Sequence, residues 1–348
     1  MDFWLHYKLM LHSRLFEECV RQLYYDGMIA GEMHLGIGEE GIAAGVISQL
    51  SPGDALALDH RGTPQLLMWG IEPAALLKEF LGGEDGLCGG QGGHMHLFSA
   101  EHLSASSGIV GASGPAGVGF ALAAKRLRPG TIATAWFGEG ATNEGAMMEA
   151  WNLAVVWQLP LLFICKDNDY SITTRSQTVR GGYLPERARS FGLRTLSVNG
   201  ADIEEVWLGA KELIEHARSG NGPVLLHARC RHFEGHFIGM QSARMVNNPV
   251  KEMTPLVPGI IKALFRGGGA PLSERLRNVR TISGVAASSR SESQAKVDDP
   301  ILRTRFKLQA EDEARLTAIE VSIQAEIKEV LDEVLSANTV MEKIQWVK

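Results

Sequence analysis

The chain has 348 residues, 45% of them apolar, enough for a buried core in one large or two ordinary domains. A net charge of −6 with no long run of one sign argues against a nucleic-acid partner, and no apolar stretch reaches the roughly 18 residues that suggest a membrane span. Cys19, Cys88, Cys165 and Cys230 stand alone, without CxxC spacing or a secretory leader, which points to a reduced, cytoplasmic setting.

From the start of the chain, Phe3, Tyr7, Met10, Phe16, Val20 and Leu23 recur near helical spacing and predict a packing helix over residues 2–26. The Gly-rich bend GEMHLGIGEEG, Gly31–Gly41, leads into a small-residue helix to Leu50 and a turn at Ser51–Asp54. His34 sits in that bend, and His60 and Arg61 follow in DHRGTP. A single loop histidine is more often structural. Its pairing with an arginine beside glycines suits an anion, because an imidazole N–H and a guanidinium fork both donate to a diphosphate terminus. Seven glycines crowd residues 82–93, which predicts a loop held by partners, since so flexible a stretch is costly to order. His94 and His96 follow without Cys, Asp or Glu at ligand spacing, so zinc is not expected there.

GIVGASGPAGVG, Gly108–Gly119, precedes an Ala-rich helix ending near Leu127 and suits close backbone approach to a flat ring. A strand (Thr131–Phe137), a helix (Glu144–Trp157) and a second strand (Leu161–Lys166) come next, with the turn Gly138-Glu139-Gly140 closing the first strand. Glu139 and Asn168, 168 − 139 = 29 residues apart, fall at the ends of adjacent strands of a parallel unit, where loops border a crevice. A carboxylate, an amide oxygen and a loop carbonyl suit Mg²⁺, which prefers about six oxygens and keeps phosphate among them. Gly138 and Gly140 permit close approach, and the helix start near Asn143 offers N–H groups to the same anion. A plain structural GxG turn is the alternative.

Residues 170–192 lack apolar periodicity and read as a surface loop, with Ile172 an apolar exception. Pro223–Arg229 is a buried strand, and CRHFEGHFIG after it places His236 at a strand's carboxyl end, where an imidazole suits proton exchange near neutral pH. Residues 241–298 read as an insertion: a short helix at Ile260–Phe265, a GGGAP linker and a disordered stretch from Ser283 to Lys296. Asp299-Pro300 opens the last section, where Leu316, Ile319, Ile323, Ile327, Val330 and Val334 make an amphipathic packing helix. The division is therefore 1–240, a cofactor-binding domain; 241–298, the insertion; and 299–348, a helical segment packing on the domain or on a partner.

In these motifs the chain resembles the α-subunits of thiamine-diphosphate-dependent 2-oxo acid dehydrogenases, the pyruvate, acetoin and branched-chain enzymes. The resemblance covers Leu15 to Ser336 apart from the insertion. Its carriers are Gly138-Glu139-Gly140 and Asp167-Asn168, standing for the family's GDG and NN, the His34 and His60-Arg61 segments, and the 31 residues from Gly108 to Glu139 (139 − 108). It implies an α/β, thiamine-diphosphate-binding fold with a mostly parallel central sheet flanked by helices on both faces, and thiamine diphosphate and Mg²⁺ as cofactors. By resemblance Glu139, Asn168 and the Tyr170 carbonyl hold the metal beside Gly138 and Gly140. His34, His60 and Arg61 lie at the diphosphate end, and the backbones of Gly108 and Val110 bond the aminopyrimidine. Ile172 wedges under the thiamine, and His236, with His34, is a catalytic candidate at the cofactor. The chain departs from the pattern at Glu139 (Asp in relatives), Asp167 (Asn) and Thr63 (often a second His).

The implied function is the α-subunit of a two-component 2-oxo acid or acetoin dehydrogenase. A β-subunit in an α2β2 heterotetramer supplies the glutamate that activates the cofactor, and a lipoyl-domain acyltransferase receives the acyl group. Two other readings stay open: a carboligase or split-transketolase half that does not use lipoamide, and a non-catalytic regulatory or scaffolding subunit.

Overall fold

A seven-stranded sheet runs through the molecule in the order β2-β3-β1-β4-β5-β9-β8. Its members are β1 (Ala55–Leu58), β2 (Phe98–Ser99), β3 (Ser104–Ser106), β4 (Ala133–Gly138), β5 (Leu161–Asp167), β8 (Arg194–Asn199) and β9 (Val224–Arg229). Every pairing is parallel except β2 with β3. This computed structural model describes residues 1–233, 235–238, 257–265, 271–274, 276 and 298–337.

The central strands are apolar almost without interruption, as expected where helices cover both faces of a parallel sheet. Alternation along each strand sorts its side chains. Trp136, Leu162, Ile164, Val224 and Leu226 enter one core with Phe16 and Val20 of α1 (Phe3–Tyr25), Ile42 of α2 (Glu40–Ile47), Leu66 of α3 (Thr63–Met68) and Leu76 of α4 (Pro73–Phe80). Val206 of α8 (Ile203–Arg218) and Ile323 and Val334 of α11 (Glu313–Ala337) complete that layer. Ala135, Phe137, Phe163, Cys165 and Leu225 enter the opposite core with Val118 of α5 (Ser113–Leu127), Trp151 of α6 (Gly145–Val156) and Leu184 of α7 (Leu184–Phe191).

Local signals fix the helix ends. Asp2 caps α1 by accepting from Trp4 N at 2.9 Å, and Asp299 caps α10 (Pro300–Gln309), whose first residue is proline. Half-buried Arg14 joins α1 to Glu40 at 2.5 Å and to Asp299 at 3.0 Å, anchoring the last section to the core. The glycine-rich stretch after α4 is held by one carboxylate: Glu79 accepts from Cys88 N, Gly90 N and Gly92 N at 2.7, 2.8 and 2.6 Å.

Residues 170–192 are more ordered than a surface loop. They form the hairpin β6 (Tyr170–Ser171) and β7 (Thr174–Arg175) and then α7, which buries Leu184 and Ala188. A two-turn helix opening on Leu-Pro is too short to show periodicity in the sequence. Helix α9 (Val257–Leu264) overlaps the short helix expected in the insertion, while the linker and the stretch from 283 to 296 lie largely outside the described residues. No described helix is long and apolar enough to cross a membrane.

Candidate functional site

Five strands deliver candidate residues at their carboxyl ends: His60 and Arg61 after β1, Gly108 and Val110 after β3, Glu139 after β4, Asn168 after β5 and His236 after β9. The loop before α2 adds His34.

At the end of β4 the chain turns through a single 3-10 turn, Glu139–Asn143, held by Thr142 Oγ1 donating to the Glu139 carbonyl at 2.7 Å. The hairpin of β6 and β7 lies against this turn so closely that any side chain at Gly140 would collide with Ser171. Two non-glycine residues there adopt left-handed backbone, Asp169 at φ 64° and the β-branched Ile172 at φ 57°. That conformation is costly for a β-branched residue, and such strain concentrates at ligand sites. Ile172 is also 56% exposed, an apolar side chain held out in the open.

Glu139 is buried, and its Oε1 accepts from Ser176 Oγ. Burial pushes its carboxyl up to about 7, with the Ser176 hydrogen bond acting against that rise. The Asn168 amide meets His232 Nδ1 at 3.1 Å on one side. On the other, its second terminal atom lies 3.2 Å from Glu139 Oε2 and 3.0 Å from the Tyr170 carbonyl oxygen. When that atom is Oδ1, three oxygens converge without a donor, which is the ligand set of a hard cation. When the amide is reversed, Nδ2 donates to both oxygens and the gap closes without one. The three expected metal ligands are therefore brought together, and the set fits Mg²⁺. Glu139 reaches the position despite its extra methylene.

A second cluster gathers around Arg61. His34 stands edge-on to His60 and His236, with ring centroids 4.7 and 4.9 Å away, and stacks on His94 at 5.2 Å. Arg61 donates to the Leu35 carbonyl at 2.5 Å and to the His236 carbonyl, and reaches His236 Nδ1 at 3.4 Å. Among the described residues its guanidinium meets no carboxylate. Burial, reinforced by the Arg61 charge, lowers His34 to about 2 and His94 and His236 to about 4, and depresses His60 further. All four rings are thus neutral near pH 7. His60 Nε2 is buried with no partner among the described residues. An enclosed guanidinium with neutral N–H donors and an orphaned ring nitrogen suits a phosphate, which would supply the missing counter-charge. His94, expected only to follow a loop, is part of this cluster through its 3.0 Å contact with His34 Nδ1.

Between the clusters runs a buried polar chain that sequence reasoning did not find. Lys166 Nζ meets Glu39 Oε2 at 2.7 Å and Asp59 Oδ1 at 3.0 Å, and Glu39 Oε1 lies 2.6 Å from His232 Nε2. Burial works against the charge on Glu39, but Lys166 and His232 hold it well below the ordinary carboxylate range. Asp167 pairs with His227 at 2.8 Å instead of entering the oxygen cluster. The one sequence signal for the chain was a lysine closing an apolar strand. Gly108 and Val110 stand apart at the end of β3, which β1 separates from β4; Gly108 backs onto Met95 and His96, and Val110 is exposed.

A family described as dehydrogenase E1 component matches residues 7–253. The α-subunit of the pyruvate dehydrogenase E1 component of Zymomonas mobilis is 37% identical over 268 residues, covering 75% of this chain and 76% of that one. The α-subunit of an acetoin:2,6-dichlorophenolindophenol oxidoreductase of Cupriavidus necator is 38% identical over 236 residues, covering 67% and 71%. Among solved structures, transketolase of Campylobacter jejuni overlays 95% of this chain with a TM-score of 0.51 at 18% identity, which shows the fold alone. The chain spans about half (49%) of that transketolase's length.

Proposed function

Since this chain belongs to the dehydrogenase E1 component family, we propose that it is the α-subunit of a thiamine-diphosphate-dependent enzyme that cleaves a 2-oxo acid or acyloin and works only with a β-subunit. The observation that carries this reading is that the Asn168 amide meets both Glu139 Oε2, at 3.2 Å, and the Tyr170 carbonyl, at 3.0 Å. These groups would hold Mg²⁺, and through it the diphosphate. Arg61, His60 and His34 would grip the terminal phosphate with N–H donors, and Gly138 leaves room for it, while Gly140 makes room for Ser171 of the hairpin. The Gly108 and Val110 backbones would bond the aminopyrimidine, and Ile172 would support the thiazolium ring from below. When bound, thiamine diphosphate supplies the electron sink that lets a carbonyl carbon part from its neighbour.

His236 is the residue of this chain suited to hold a proton beside the reacting oxygen. Its Nδ1 faces the Arg61 guanidinium, a donor, so the neutral ring carries its hydrogen on Nε2 and would donate that N–H to an oxygen on which charge develops. The glutamate that activates the pyrimidine would come from the β-subunit of an α2β2 assembly. A lipoyl domain on an acyltransferase would take the acyl group, in the cytoplasm, where the four free cysteines stay reduced.

Calorimetry with thiamine diphosphate and Mg²⁺, on the chain mixed with its β partner, tests the reading. Metal-dependent heat is expected, and its absence would overturn the assignment. Decarboxylation of a 2-oxo acid by the chain alone would overturn the two-chain arrangement. A lipoamide-dependent assay separates the dehydrogenase from a carboligase.

A further inference from the structure

We propose that His232 is a positioning residue: gripped by Glu39, it turns the amide of Asn168 so that its oxygen, and not its nitrogen, faces Glu139 and Tyr170. The inference rests on the cation site proposed above and concerns what keeps that site open. It follows from counting hydrogens along the buried chain. Lys166 is 1% exposed and puts its ammonium 2.7 Å from Glu39 Oε2, so Glu39 is a carboxylate and can only accept. Glu39 Oε1 is 2.6 Å from His232 Nε2, which must therefore carry the ring hydrogen. A neutral imidazole carries a single hydrogen, and here Glu39 takes it. Nδ1 is left with a lone pair, and the amide atom 3.1 Å away has to be the donor, Nδ2.

The consequence lies at the other end of the amide. Oδ1 is forced toward two further oxygens, 3.2 Å from Glu139 Oε2 and 3.0 Å from the Tyr170 carbonyl, a contact that is unfavourable until a cation sits among them. An amide free to choose would turn over and donate to both. The relay from Lys166 through Glu39 and His232 withholds that option, although none of the three touches the ion. Partners of this kind commonly govern metal affinity by orienting the ligands.

Two measurements on the full chain test this. In nitrogen-15 correlation spectra of histidine-labelled protein before any metal is added, the His232 signal, assigned by its loss in His232→Gln, is expected to show hydrogen on Nε2 and a bare Nδ1. Hydrogen on Nδ1 would overturn the proposal. Mn²⁺ uptake by the full chain mixed with its β partner, in the presence of thiamine diphosphate and followed by electron paramagnetic resonance, supplies the second. His232→Leu has no acceptor for Asn168 and is expected to weaken Mn²⁺ binding about tenfold or more. His232→Gln, which can accept from Asn168 and donate to Glu39, is expected to stay near the unaltered chain. Equal weakening in both would reduce His232 to a space-filling part and sink the relay. An unaltered chain that takes up no Mn²⁺ would instead defeat the cofactor reading, and the tautomer would still decide this one.

Discussion

At the amino ends of the strands, Asp54 is buried and completely used. It accepts from Ser51 N and Ile132 N, both at 2.8 Å, and the Arg218 fork meets its two oxygens at 2.9 and 2.7 Å. At the carboxyl ends, by contrast, Glu139 Oε2 meets only the Asn168 amide, and among the described residues His60 Nε2 lacks a partner and Arg61 lacks a carboxylate. Buried polar atoms are normally satisfied within a protein. The amino end obeys that rule and contributes stability. The carboxyl end breaks it and suits binding, so substitutions should separate the two.

The largest effect is expected at the carboxyl end. Glu139→Ala should abolish Mg²⁺-dependent binding of thiamine diphosphate in calorimetry, yet leave the thermal midpoint unchanged or higher, because a buried carboxylate is removed. A large fall in thermal stability would break the comparison. At the opposite end, Asp54→Ala strands Arg218 and two backbone N–H groups, and should lower unfolding free energy in denaturant titrations by about 3–5 kcal/mol. Cofactor affinity of the folded fraction should be unchanged.

Glu17 lies behind the His34 bend, where its Oε1 accepts from Gly36 N at 2.8 Å and its Oε2 is buried without a partner among the described residues. Burial pushes its carboxyl up to about 8, so the folded chain holds this proton more tightly than the unfolded one. The resulting stability is full below the ordinary glutamate range and is lost as pH rises through about 8. Glu17→Gln keeps the bond to Gly36 without the titration, and should flatten stability between pH 5 and 9 in thermal melts, with the gain largest at the alkaline end. The smallest effect is expected from Ile172→Gly. Relief of the left-handed backbone, less the entropy glycine loses, should gain under about 1 kcal/mol, while affinity for thiamine diphosphate falls.

Much of the site was legible in the sequence because its ligands sit at fixed offsets inside one strand-turn-helix-strand unit. Glu139 and Asn168 close β4 and β5, neighbours in the sheet, so their meeting follows from local connectivity. His34 and Arg61 were legible as an anion-binding pair beside glycines and His236 as an imidazole at a strand's carboxyl end, but that they and His94 form one cluster was not. Nothing in HMH distinguishes a loop histidine from one stacked on His34. Helix α7 escaped because two turns give no period to read.

The sequence by itself determined the parallel α/β unit and the placing of Glu139 and Asn168 at the ends of adjacent strands, because strand alternation and turn chemistry act over a few residues. Only the tertiary structure decided that Lys166 meets Glu39 across 127 residues and that Glu39 meets His232 across 193. Which buried donor faces which acceptor depends on how separate loops dock at one edge of the sheet, and no local spacing encodes that.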